Sequence, residues 1–244
     1  MIETTIDIAT RDGACTTFIA HPDRHGPHPA VLFYMDAPAI REELRDMARR
    51  LASAGYYVML PNLYYRAGVL ELGPPDRAPG SPWLTRMIGL MNDLTIPMIM
   101  SDTEAFIAHI DADPAAKPGP MGTMGYCMSG QYAVSAAAAF PDRISAAASL
   151  YGVALVTDAE ASPHLSARKA RAEIYAACAE TDAFAPPEMV QALAADFAAH
   201  GVLGEVEVYP GTQHGFAFPQ RPQYHKAAAE RHWTRLHALF RRRL

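Results

Sequence analysis

Gly122-Thr123-Met124-Gly125-Tyr126-Cys127-Met128-Ser129-Gly130 places one cysteine between glycines, at the end of a short apolar run and just ahead of an alanine-rich helical pattern. That layout predicts a strand, a sharp turn and a helix, with the Cys127 side chain standing exposed at the turn. So tight a turn needs neighbours without bulk, and Gly125, Ser129 and Gly130 supply them. The usual form of the motif is Gly-x-Ser-x-Gly, whereas this chain reads Gly-x-Cys-x-Ser-Gly. A thiol therefore occupies the place of a nucleophile, and its chemistry depends on partners elsewhere in the chain.

The thiolate is the reactive form of cysteine, so a base must take the thiol proton and an acid must orient that base. Downstream, Glu173 to Ala179 reads as a strand running into a turn that carries Asp182. Glu205 to Tyr209 alternates as a strand does, and the loop after it carries His214. Both groups fall just beyond the carboxyl ends of predicted strands, where open α/β sheets build their sites. Cys127, Asp182 and His214 thus follow one another as nucleophile, acid and base. Glu180 and Asp158 are the rival acids, and Asp182 has a competing role as a cap for the helix starting near Pro186.

Outward from this centre, strands alternate with helical patterns as a mostly parallel sheet requires. Residues 2 to 8 and 14 to 20 pair as a hairpin across Arg11-Asp12-Gly13. Ala30 to Met35 is a continuous apolar strand, and Leu44, Met47, Ala48 and Leu51 share one helix face. Tyr56 to Leu60 follows as a strand stopped by Pro61. A helix over 99–110, a strand over 121–126, a helix over 130–140 and a strand over 146–151 continue the rhythm. Helices over 187–200 and 222–242 flank the last strand. The expectation is one α/β domain over 1–244 with helices on both faces of the sheet. The interval 66–97 breaks the pattern, because Gly73-Pro74-Pro75 through Pro82 cannot continue a helix or a strand, and it reads as a lid-like or binding segment. Trp83, Met87, Ile88 and Met91 lie at helical spacing after it, as an apolar wall over a site or as ordinary packing.

Composition bounds the rest. Half of the 244 residues are hydrophobic and 19% are charged, enough for a substantial core. A net charge of −5 gives no basic footprint for nucleic acid. The Arg241-Arg242-Arg243 run reads as the solvated end of the last helix. No run approaches membrane-spanning length, and the start lacks the layout of a signal peptide. Three cysteines, at 15, 127 and 178, suggest no disulfide framework, and a reducing cytoplasm is the expected location. His21, His25 and His28 lie in a loop rich in proline and glycine, with no set of ligands to complete a metal site. The intervals between glycines do not fit a dinucleotide-binding fingerprint. No cofactor, metal or nucleic-acid partner is expected.

The Gly-Tyr-Cys turn, Pro29-Ala30-Val31-Leu32-Phe33-Tyr34-Met35-Asp36 and Pro61-Asn62-Leu63-Tyr64-Tyr65-Arg66 together resemble the dienelactone hydrolases (carboxymethylenebutenolidases) of the α/β-hydrolase superfamily. The resemblance covers most of the chain. It implies that Asp36 lies beside Cys127 and modulates the thiol, and that the backbone N–H groups of Ala37 and Met128 receive an oxyanion. It also directs attention to Tyr64, Arg66, Trp83, Arg86 and Phe218 as substrate contacts. Three positions depart from the family pattern. Asp36 stands where glutamate is usual, Ser129 where the turn has glycine, and Phe218 where an arginine holds a substrate carboxylate, with Arg86 as a candidate second arginine.

The expected activity is hydrolysis of a small ester or lactone through a thioacyl enzyme on Cys127. The competing expectations are a non-catalytic protein that keeps the pocket to bind a small molecule, a general carboxylesterase or thioesterase, and a redox-reactive thiol. Oligomeric state is not readable from the sequence.

Overall fold

Alternating polar and apolar residues at the start of the chain form the expected hairpin, with β1 (Ile2–Thr10) antiparallel to β2 (Gly13–His21) and Thr10 opposite Gly13. In the computed structural model, which describes residues 1–244, the chain divides into two compact units, Met1–Pro118 and Gly119–Leu244. In the first unit β2 also pairs antiparallel with β4 (Tyr57–Pro61), and β4 pairs parallel with β3 (Ala30–Tyr34). All five residues of β3 and all five of β4 are buried, the continuous apolar run of a strand covered on both faces. Between them α1 (Glu42–Ser53) buries Leu44, Met47, Ala48, Leu51 and Ala52 and packs on β2 and β4. This is the i, i+3, i+4, i+7 stripe of a helix lying on a sheet. Each fully buried leucine of such a stripe contributes about 1.5–3 kcal/mol.

Irregular backbone after Arg66 ends at Ser81 rather than near residue 97. Helix α2 (Pro82–Asn92) and helix α3 (Ile96–Ala112) each carry a proline at the first or second position. Pro82 and Pro97 lie in first turns, where the N–H has no intrahelical partner, so proline begins these helices instead of breaking them. The Ser81 hydroxyl accepts the Leu84 N–H at 3.1 Å and the Thr95 hydroxyl accepts the Met98 N–H at 3.4 Å. Helix α2 buries none of its residues, and Ile88 is 41% exposed. Helix α3 buries Ile99, Phe106, Ile107 and Ile110, together with Asp102 and Thr103, and packs on β1.

The second unit holds β5 (Met121–Tyr126), β6 (Ile144–Leu150), β7 (Glu173–Thr181) and β8 (Gly204–Gln213), adjacent in that order and all parallel. Parallel neighbours need crossovers, and these contain α4 (Gly130–Ala139), α5 (Pro163–Ala167) and α6 (Pro187–His200). Helix α7 (Lys226–Arg243) packs on β5, β6 and β7. It begins at Lys226 rather than 222, because His225 is extended and its ring nitrogen caps the Ala228 N–H at 3.2 Å. Strand β8 runs past Pro210, which an edge strand tolerates. No helix is long and apolar enough to cross a membrane.

Candidate active site

Strand β5 ends at Tyr126 and the chain reverses at Cys127, whose φ of 55° lies in the left-handed region. A residue with a Cβ adopts that conformation at a cost of about 1–2 kcal/mol, and such strain collects at functional turns. Close approach explains the flanking glycines. A Cβ on Gly125 would lie 2.2 Å from the Ser129 carbonyl oxygen, and one on Gly130 would lie 2.3 Å from the Ser149 hydroxyl and 2.6 Å from the Gly152 Cα. Ser129, by contrast, has φ −88° in the ordinary helical region, so the turn accepts a side chain there. The Cys127 carbonyl accepts the Val153 N–H at 3.1 Å, and Cys127 itself is half-buried and free of any disulfide.

Asp182 follows β7 directly and His214 follows β8 directly, so the three side chains gather at the carboxyl ends of parallel strands. His214 Nδ1 donates to Asp182 Oδ2 at 2.7 Å. The other oxygen, Oδ1, accepts the backbone N–H groups of Phe184 at 2.8 Å and Ala185 at 3.2 Å. Asp182 therefore folds its own loop and orients the imidazole, and it does not cap α6, which lacks a side-chain cap. Glu180, the nearer rival acid, instead accepts the Gly211 N–H at 2.9 Å. With Nδ1 committed to Asp182, Nε2 is the nitrogen left for the hydrogen bond between the His214 ring and the Cys127 thiol. Burial, the largest single influence on His214, disfavours its charge. The hydrogen bonds to Asp182 and Cys127 and the charges of both outweigh it and raise the imidazole from 6.5 to about 9.

A histidine raised in the folded state stabilises that state most fully below its unfolded value, and its contribution fades as pH climbs through the folded value. His214 is accordingly expected to contribute fully below about pH 6.5 and to lose its contribution as pH rises through about 9. Urea unfolding of the wild type and of His214→Ala across this range measures the effect. The stability gap should narrow as pH rises, and a constant gap would contradict the proton count.

Two aromatic residues that motif reading did not single out flank the imidazole. The Tyr151 ring meets it edge-on at 5.0 Å, just beyond β6 and with φ 38°, and Phe184, 67% exposed, meets it edge-on at 5.0 Å. Their signal lay in position: one closes a predicted strand and the other stands two residues after Asp182. Met128 is the second residue of the short turn Cys127–Ser129, and its carbonyl accepts the Gln131 side-chain amide at 2.9 Å. Phe218 corrects an expectation. It is fully buried, edge-on to Tyr126 at 5.1 Å, with the Arg221 guanidinium 4.5 Å from its ring centroid. It is a core residue and offers no surface to a substrate.

Within the first unit, Asp36 lies two residues beyond β3 and is fully buried, and its carboxylate is gripped by both terminal nitrogens of Arg41, at 2.5 and 3.2 Å. Arg41 also bonds Glu43. The neighbouring Ala37 carbonyl accepts the Tyr64 hydroxyl at 2.9 Å. Tyr64 is only 1% exposed, so it braces backbone where a substrate contact was expected. Arg66 is likewise committed. Its guanidinium bonds both oxygens of the buried Asp102 at 2.8 Å and reaches Asp12 at 2.7 Å, and the Tyr65 hydroxyl joins Asp102 at 2.9 Å. Trp83 is half-buried on α2 with Arg77 5.6 Å above its ring, and Arg86 is exposed on the same helix. His21, expected in a loop, is instead the last residue of β2 and stacks on Tyr57 at 5.6 Å.

Comparison with known proteins gives the family and the fold. The "Putative carboxymethylenebutenolidase" of Methylorubrum extorquens is 27% identical over 97% of this chain and 79% of its own length. The protein of the same name from Synechocystis sp. is 26% identical over 99% of this chain and 97% of its own. The crystal structure titled "Putative Dienelactone Hydrolase" from Klebsiella pneumoniae superposes with a TM-score of 0.84 at 26% identity, covering 98% of each chain. The sequence profile of the dienelactone hydrolase family matches residues 15–244. The fold is that of an α/β-hydrolase, and the chain belongs to the dienelactone hydrolase family.

Proposed function

We propose that this hydrolase cleaves a small ester or lactone by transferring its acyl group to Cys127. The observation that carries the reading is the alignment of Cys127, His214 and Asp182, with the imidazole bonded on one nitrogen to the carboxylate and on the other to the thiol. An imidazole that keeps its proton up to about pH 9 is the cation that a thiolate pairs with. The thiolate attacks the carbonyl carbon, and the carbonyl π electrons move to oxygen. The Met128 N–H, first after the nucleophile, receives that oxygen. Collapse of the tetrahedral intermediate expels the alkoxide, which takes the proton from His214. The now neutral imidazole deprotonates water, whose attack on the thioester carbonyl breaks the C–S bond, releases the acid and restores the thiolate–imidazolium pair. Asp182 keeps a proton on Nδ1 throughout, so Nε2 is the nitrogen that gives and takes the proton. In a lactone, acid and alcohol leave as one molecule. The relatives' names, which refer to opening a butenolide ring, support a lactone as a substrate.

The test is to trap the acyl group. A short incubation with p-nitrophenyl acetate, acid quenching and peptide mass analysis should show one acetyl group on Cys127, with a burst of nitrophenol equal to the enzyme concentration. Acetylation on lysines or the N-terminus alone, with turnover continuing, would overturn the thioacyl route.

A further inference from the structure

Beneath the reactive turn, the last residue of β5 is tied to α7 by a buried pair. The Tyr126 hydroxyl lies 2.8 Å from Nε2 of His232, and both residues are fully buried. His232 Nδ1 faces the Ala229 carbonyl. A carbonyl only accepts, so the ring proton sits on Nδ1, and Nε2 accepts from the phenol. The Tyr126 ring also packs 5.5 Å from the Tyr151 ring, which itself meets His214 at 5.0 Å. Contacts therefore run unbroken from α7 through two tyrosines to the imidazole that bonds the thiol.

The turn needs such a brace. Left-handed backbone at Cys127 and again at Tyr151 persists only where the surroundings over-determine it. After the cysteine, the Val153 N–H and the close approach at Gly130 do this. Before it, the Tyr126 side chain is the handle, and a hydroxyl anchored to a fixed imidazole lets that ring neither slide nor rotate. We propose that His232 is a positioning residue for the Cys127–His214 pair, holding the turn through Tyr126 and the plane of His214 through Tyr151. The inference rests on the thiol chemistry proposed above.

The test follows iodoacetamide alkylation of Cys127 against pH, together with kcat and KM for p-nitrophenyl acetate, in Tyr126→Phe, His232→Leu, His232→Gln and a His214→Ala control. Tyr126→Phe removes one oxygen and keeps the core filled. His232→Gln keeps an acceptor for the phenol. Tyr126→Phe and His232→Leu should each slow alkylation at neutral pH and lower kcat by roughly ten- to a hundredfold at unchanged KM, the scale of a small misplacement of reacting groups. Both should move the alkylation midpoint upward, and His232→Gln should recover most of the rate. Wild-type kcat and alkylation profile in Tyr126→Phe overturn the proposal whatever His232→Leu does, and so does a loss of thermal stability with the profile unmoved. If His214→Ala also leaves the profile unmoved, the thiol–imidazole reading itself falls. If only the control moves it, the failure belongs to His232 alone.

Discussion

Alanine at Cys127 is expected to lower hydrolysis of a small activated ester by at least about a thousandfold, the scale seen when a covalent nucleophile is removed. No other thiol substitutes for it. Cys15 and Cys178 are fully buried, and burial pushes each up to about 12, so both are protonated thiols near neutral pH. The residue removed is small and half-buried, so circular dichroism and the thermal midpoint should stay near wild type. What rate survives would come from binding and from the N–H that faces the oxyanion. Initial-rate kinetics on purified Cys127→Ala decide the matter: turnover within a factor of about ten of wild type would show that the chemistry is done elsewhere.

Replacing Arg66 by leucine should act on stability instead. Asp102 is fully buried, and beyond the Arg66 guanidinium it has the Tyr65 hydroxyl as a partner. Removing one side of a buried ion pair costs about 3–5 kcal/mol because a charge is left stranded. For a chain of this size that lowers the thermal midpoint by roughly 6–20 °C. Removing both charges, as Arg66→Leu with Asp102→Leu, should recover much of the loss. The kinetics of the folded fraction should be unchanged. An unaltered midpoint with a large rise in KM would return Arg66 to the substrate, as the family resemblance suggested.

These two residues show what kinds of information a linear sequence carries. Cys127 was readable because the demand for small neighbours at a tight turn is local: Gly125 and Gly130 stand where a Cβ would strike backbone or a neighbouring side chain. Asp182 and His214 were readable because each directly follows a strand, one apolar and one alternating, and the ends of parallel strands meet along one edge. Segment 66–97 misled in part, since proline is a breaker within a helix and a favoured residue in its first turn. Only the caps at Ser81 and Thr95 separate the two cases.

The succession of strands along the chain, the tight turn at Cys127 and the order of thiol, carboxylate and imidazole were thus determined by the sequence itself, through short-range rules of periodicity and steric room. Which polar and aromatic side chains are already spent was decided only in three dimensions. Arg66 is taken by Asp102, 36 positions away, and by Asp12, 54 positions away. Tyr64 is taken by Ala37, and Phe218 by the rings around Tyr126. No local pattern announces such pairings, because a buried charge or phenol is satisfied by whatever partner the packed chain brings within about 3 Å.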